Sequence, residues 1–371
     1  MTIPFLKTSR LVGRFVFLVL VLGTVNYSQT GTVTRVTIHA KSLENTVTKE
    51  NPDREVSIYL PPGYTTNKTK RYPVIYFLHG IGDTDLAYTQ GWSIPNSDEK
   101  VPFSSISTQM DEGIRRGKFG EMIVVLPNQR TKWFGSFYVN SSVTGNWEDF
   151  TVDELVGYID KNYRTLATAD QRGIAGHSMG GFGALAISMK HPDVFRVAYG
   201  LNPAIIDWAA DLTINSPAFK TVLTAKSFQE LGERAQKGDF YPAATVTVAQ
   251  AFSPNPDKPP FYCDFPFELY NGELRPSEPA YTKWQAVSPI NVVKKYRSNL
   301  LKLKGYRFDS GYEDEFLFIP YVSRRFSSEL TNNGIPHVFE EYNGDHRNRL
   351  PGRNGRMITE VLPFFWDHFA D

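Results

Sequence analysis

Arg172-Gly173-Ile174-Ala175-Gly176-His177-Ser178-Met179-Gly180-Gly181-Phe182-Gly183-Ala184-Leu185 runs a short apolar strand into Ser178 and straight out into a helix of small residues. A serine held on such a strand-to-helix turn sits in strained backbone. Only residues without side-chain bulk two before and two after it let strand and helix approach closely enough. Gly176 and Gly180 meet that need. The helix N-terminus behind the serine aims backbone N–H groups at any negative charge forming there, which makes the Met179 amide an oxyanion donor. The stretch therefore predicts a nucleophile elbow with Ser178 as the nucleophile.

Outward from the elbow, the chain reads as alternating strands and amphipathic helices. Thr32 to His39 and Arg54 to Leu60 alternate apolar and polar residues, as half-buried antiparallel strands do. Val74 to Leu78 and Met122 to Leu126 are continuous apolar runs, as strands covered on both faces should be. A helix is expected over Ser104 to Lys118. Another carries Val152, Leu155, Val156 and Ile159 on one stripe and ends near Tyr163. After the elbow helix, closed by His191-Pro192, a strand follows at Val194 to Leu201. The sheet resumes with Leu301 to Phe308, a helix from about Phe318 to Asn332, a strand at Pro336 to Tyr342, and a last helix kinked at Pro363. This alternation predicts an α/β fold with a mostly parallel sheet and helices on both faces.

Between the last two parts the alternation stops for about a hundred residues, too long for a plain connection. Residues 203–300 are therefore expected to form a large cap insertion over the site, with Ser253 to Pro260 its least structured part. Its many aromatics, Trp208, Phe240, Phe252 and Trp284 among them, need burial in a core of their own, against the sheet, or against substrate. Across from it, Trp133, Phe134, Tyr138 and Trp147 belong to an aromatic segment read as substrate-binding wall.

A serine hydroxyl needs a base in contact and a third group to orient that base, and in this kind of fold the chain order is serine, acid, histidine. Three histidines lie late enough: His337, His346 and His368. His337 opens a strand and His368 sits in the closing helix, whereas His346 lies in the loop directly after the last strand, on the edge where parallel sheets place their sites. His346 is the expected base. The segment Phe308 to Phe316 holds four carboxylates. Glu315 is read as a helix start and Glu313 as a solvated charge, which leaves Asp314 or Asp309 to orient the imidazole. A second oxyanion donor is expected after Val74 to Leu78, where His79-Gly80-Ile81-Gly82 offers the Ile81 amide. His79 and His177 lack a third ligand at suitable spacing, so no metal is expected, and the chemistry requires no cofactor.

The 371 residues, 41% hydrophobic and 14% aromatic, are those of a globular chain. Forty basic and 39 acidic residues leave a formal charge of +1, with no basic footprint for nucleic acid. Cys263 is the sole cysteine, so neither an internal disulfide nor a cysteine metal site is available. Lys7, Arg10 and Arg14 precede an apolar run from Phe15 to Leu22, the order of a secretory signal peptide over residues 1–28. A secreted or periplasmic domain over residues 29–371 is expected. The run is too short to span a bilayer, so stable membrane insertion is not expected unless the signal stays uncleaved.

Taken together, Leu78-His79-Gly80, Phe137 to Asn140, Glu154-Leu155, Tyr163-Arg164-Thr165, Gly176 to Gly183, His191 to Phe195, Asp309 to Asp314 and Gly344-Asp345-His346 resemble the esterase family of α/β-hydrolases. That group includes esterase D (S-formylglutathione hydrolase), feruloyl esterases and the antigen 85 mycolyltransferases. The resemblance implies an α/β-hydrolase fold and a serine carboxylesterase. It also places the catalytic acid three residues after the glycine of a D-x-G-x-x-D pattern, at Asp314. The long insertion has no counterpart in the smaller members. By analogy, the substrate is a small-molecule or polysaccharide-linked ester, feruloyl or acetyl. Acyl transfer, a formylglutathione-type thioester and a non-catalytic carbohydrate-binding scaffold are the alternatives.

Overall fold

The structure, a computed structural model, describes residues 30–90, 105–352 and 354–370. The expected signal segment lies outside them. Among the described residues, no helix is long and apolar enough to cross a membrane.

Eight strands form one sheet: β1 (Thr32–His39), β2 (Asp53–Leu60), β3 (Val74–Leu78), β4 (Ile123–Pro127), β5 (Arg172–His177), β6 (Val197–Leu201), β7 (Gly305–Gly311) and β8 (Val338–Tyr342). Their spatial order is β1-β2-β4-β3-β5-β6-β7-β8. The pairs β1–β2 and β2–β4 are antiparallel, and every pair from β4 to β8 is parallel. This is the mostly parallel sheet that the alternation implied.

Successive residues of a strand face opposite sides, so β3 feeds two cores at once. Val74, Tyr76 and Leu78 pack into one core with Leu155, Ile159, Phe182 and Leu185, while Ile75 and Phe77 pack into the other with Met110, Phe365 and Phe369. Continuous apolar runs are the consequence. The expected alternation of β2 fails for the same reason: residues 56–60 are all buried, because β4 flanks the strand and both faces are covered. β1, at the sheet edge, buries only Ile38.

The kink expected at Pro363 takes the form of a π-turn, Met357–Val361, before the final helix Leu362–Ala370. Proline there has no N–H to continue the ladder. A second π-turn, Phe150–Leu155, lies within the helical stretch from Trp147–Asp149 to Val156–Asn162. The strand expected at Leu301 to Phe308 begins only at Gly305, after a short helix and turn.

Between β6 and β7 the insertion forms helices including Pro217–Thr224, Phe228–Gln236, Tyr241–Phe252 and Ala280–Val287, with a hairpin of Phe267–Tyr270 and Glu273–Pro276. It does not keep a core of its own. Phe252 meets Phe137 and Phe182 of the sheet domain at 5.6 and 5.5 Å between ring centres, and Trp284 of the insertion at 5.9 Å. Ser253 to Pro260 is better ordered than its composition implied: Asn255 donates to Asp264, and Ser253 accepts from the Trp284 indole at 2.8 Å.

Candidate active site

The loops at the carboxyl ends of β3, β5, β6, β7 and β8 converge on Ser178. Ser178 has φ 57° and ψ −116°, a strained conformation, and it caps the helix Met179–Lys190. The glycines around it are there for space. A Cβ on Gly176 would stand 2.3 Å from the Gly180 carbonyl oxygen, and one on Gly180 would stand 2.1 Å from that of Leu78. Any side chain at either position would have to push backbone aside. The turn is tied to the neighbouring strand by the Ser178 amide, which donates to Leu201 O at 2.9 Å.

His346 follows β8, and its Nδ1 lies 2.7 Å from Asp314 Oδ2 with both side chains buried. A carboxylate accepts, so Nδ1 carries the proton and Nε2 presents a lone pair. Asp314 Oδ1 also accepts the Phe316 amide at 2.9 Å, which fixes the carboxylate. Burial raises the Asp314 pKa, while the adjacent His346 pulls it back. The turn holding Asp314 passes very close to the histidine loop, since a Cβ on Gly311 would meet Gly344 O at 2.3 Å. Ser178 and His346 line the same cleft, with no direct hydrogen bond between their side chains among the described residues. Such contacts commonly close only when substrate is bound.

Asp309 is placed elsewhere. It is fully buried and accepts from Arg356 Nε and from the Tyr199 hydroxyl, both at 2.7 Å. That structural ion pair leaves Asp314 beside the imidazole. Glu315 does not start the helix, which begins at Phe318. Its Oε2 accepts the His346 amide at 3.3 Å. His337 and His368 bond to Ile335 O and Phe364 O, away from the cleft.

Ile81 lines the cleft with Ser178, Met179 follows Ser178 at the start of its helix, and among the described residues neither of their amides donates to a protein acceptor. His79, before Ile81, has both ring nitrogens engaged. Nδ1 donates to Gly80 O at 2.8 Å and Nε2 accepts the Gln129 amide at 2.9 Å. It is neutral, and burial lowers its pKa to about 4. His177 is likewise neutral, held well below its ordinary pKa by burial, and it donates from Nε2 to His346 O at 2.8 Å. Among the described residues no group of three His, Cys, Asp or Glu converges as a metal site.

None of the four aromatic residues read as substrate wall is among the residues lining the two cavities that meet at Ser178. Trp147 is fully buried with its indole on Thr144 O, and Tyr138 is fully buried with its hydroxyl on His79 O. Both are spent on the fold. Trp133 donates its indole N–H to Ala243 O and packs on Phe228, anchoring the insertion. Phe134 packs on Trp133 and Phe240. From the same segment it is Phe137 that reaches the cavity. Phe134, Phe137 and Tyr138 all have positive φ, a strained loop tied to the oxyanion loop by the Gly82 amide on Phe134 O.

Two further residues at the site carried no signal in the sequence. Asn202, fully buried at φ 41°, donates to His346 O and the Tyr342 hydroxyl and accepts the Gly311 amide, joining the ends of β6, β7 and β8. Phe316 sets its ring edge against His346 at 4.9 Å.

Residues 48–350 match the family model described as "Putative esterase". The chain is 32% identical over 142 residues to an endo-1,4-beta-xylanase/feruloyl esterase of Xylanibacter ruminicola, covering 38% of this chain and 18% of that protein. It is 36% identical over 145 residues to an esterase of Mycobacterium tuberculosis, covering 38% and 27%. The chain thus spans less than a third of the length of these relatives. In fold it is similar to a ferulic acid esterase of known structure, with a TM-score of 0.57 at 20% identity, over 92% of this chain and 99% of the other.

Proposed function

The chain belongs to this esterase family, and from that premise we propose that it is a serine carboxylesterase working through an acyl-enzyme, with Ser178, His346 and Asp314 as its triad. The observation that carries the reading is the 2.7 Å contact of Asp314 with His346 Nδ1, in the cleft that the strained Ser178 also lines.

In this mechanism Ser178 Oγ attacks the ester carbonyl carbon while His346 Nε2 takes the hydroxyl proton. The carbonyl oxygen becomes an oxyanion between the Ile81 and Met179 amides, with the helix N-terminus behind Met179 adding to the field. The bond to the alcohol oxygen then breaks as His346 returns the proton to it. Water, deprotonated by the same nitrogen, releases the carboxylic acid and restores the serine. Asp314 holds the imidazole in the required tautomer and balances its transient charge. Feruloyl or acetyl esters carried by polysaccharide are the candidate substrates, and a relative named a feruloyl esterase supports the first of them.

The test is turnover of p-nitrophenyl acetate, together with covalent labelling by a fluorophosphonate. The native chain should do both. Ser178→Ala should do neither while keeping its circular dichroism spectrum. Undiminished turnover in Ser178→Ala would exclude the mechanism.

A further inference from the structure

The helix Phe318–Asn332 opens directly behind the turn that carries Asp314, and its own sequence gives it no cap: the N-cap position is Leu317. The first amides of a helix have no partner within it, and a leucine has no side-chain oxygen to offer them. The insertion supplies one. Asp211 Oδ2 accepts the Leu317 amide at 3.1 Å and Oδ1 the Phe318 amide at 2.8 Å, across more than a hundred residues of chain. A negative charge is favoured at that end of the helix dipole. The Tyr241 hydroxyl, from the insertion helix Tyr241–Phe252, donates to the same carboxylate.

The near side of the turn belongs to the sheet domain. Tyr312 N donates to Tyr342 O, Glu313 N to Gly344 O and Asp314 N to Gly311 O. Past Asp314 this support stops. Among the described residues, the backbone bonds of Glu315 to Phe318 run only to Asp314, to Asp211 and within the helix. The Phe316 ring meets His346 at 4.9 Å, and on the insertion side Tyr241 at 5.8 Å and Phe240 at 6.4 Å between ring centres.

Resting on the esterase reading above, we propose that Asp211 is a positioning residue of the reaction: by capping the helix Phe318–Asn332 from the insertion, it fixes the Asp314–Phe316 turn against His346. Asp211 borders neither cavity at Ser178, so it acts through the turn and not on the substrate. Misplacing a catalytic group by about 1 Å costs up to about a hundredfold in rate, so a loosened turn reads out as lost turnover. A second carboxylate of the same segment provides the contrast. Asp207 pairs with Arg325 at 2.6 Å, about two turns further along the helix and away from the turn.

The experiment is steady-state turnover of p-nitrophenyl acetate by the purified full chain, with melting temperatures alongside. Asp211→Ala should lower kcat about tenfold and change KM less than about threefold. Asp211→Asn, which keeps an oxygen for the amides, should hold kcat within about threefold of native. Asp207→Ala should lower the melting temperature at native kcat. Native kcat in folded Asp211→Ala would overturn the assignment, as would a loss that Asp207→Ala reproduces or that Asp211→Asn does not relieve. Should Asp211→Ala not fold, Tyr241→Phe decides: it removes the hydroxyl that holds the Asp211 carboxylate, kcat should fall about threefold, and native kcat would overturn the assignment. Absence of Ser178-dependent turnover in the native chain would instead overturn the esterase reading itself.

Discussion

The strand-end loops that carry the proposed triad and the insertion that faces them are built in different ways. At the strand ends the close contacts are backbone on backbone: Gly176 against Gly180, Gly180 against Leu78, and Gly311 against Gly344. In the insertion they are ring on ring, with Trp208 stacked on Tyr281 and Trp284 at 5.2 and 5.7 Å and Phe252 wedged between Phe137 and Phe182. Backbone contacts at such distances admit one residue type. Ring packing admits substitutes at a graded cost. Reactivity should therefore respond to changes at the strand ends in an all-or-none way, and selectivity and stability to changes in the insertion by degrees.

The sharpest way to break this contrast is at the triad. Ser178→Ala and His346→Ala should each lower kcat by about a thousandfold or more, with a melting temperature close to that of the native chain, since triad members act as a unit. Steady-state kinetics on protein free of contaminating hydrolase, with calorimetry alongside, checks both halves. A loss of only a few-fold would mean that the strand ends respond as gradually as the insertion.

The two buried aspartates of β7 and its loop divide chemistry from structure. Asp314→Asn should cost on the order of a thousandfold in kcat, because the imidazole loses its orienting acceptor. Asp309→Asn should instead lower stability by about 3 kcal/mol, because it leaves Arg356 without a buried counter-charge, and the molecules that remain folded should stay active. Urea melts and active-site titration of both variants distinguish the outcomes, and an inactive but stable Asp309→Asn would reverse the roles.

On the insertion side, Phe252→Ala should cost about 3–5 kcal/mol of stability, because the ring fills a core shared by both regions. A loss below about 1 kcal/mol would show that the insertion is only loosely joined.

The smallest effect concerns Asp83, on the polar side of the cleft. Burial raises its pKa from 3.8 to about 6, against the pull of Arg347 and Arg130. A carboxyl with a raised folded-state pKa binds its proton more tightly in the folded chain. Its contribution is therefore most favourable below about pH 4 and is lost as pH rises through 6. Asp83→Asn should leave stability near pH 4 almost unchanged and raise it modestly at pH 7.5. Urea midpoints at the two pH values test this, and an equal shift at both would exclude the linkage.

Much of the sheet was legible because its residues answer to local rules. β3 and β4 are unbroken apolar runs, and the elbow needs glycine two places either side of Ser178. The loop after β8 carries its histidine in plain view. Asp314 and Asp309 could not be told apart by residue type. The resemblance pointed to Asp314, and the contact with Arg356 shows where Asp309 belongs. Tyr138 and Trp147 are buried in the core, because an aromatic side chain serves a core as readily as a pocket. The roles of Asn202 and Phe316 had no local mark at all, since each depends on partners more than thirty residues away or on a neighbouring loop.

What the sequence determined by itself is the order of the sheet's strands and helices, the elbow, and the positions of the candidate serine and histidine, because strand period, glycine space and chain order are properties of short stretches. The tertiary structure alone decided which aromatics line the cavity, which aspartate is structural, and that the insertion shares its core with the sheet. Those outcomes depend on which distant side chains meet, and close packing, unlike backbone conformation, is settled only when the whole interior is assembled.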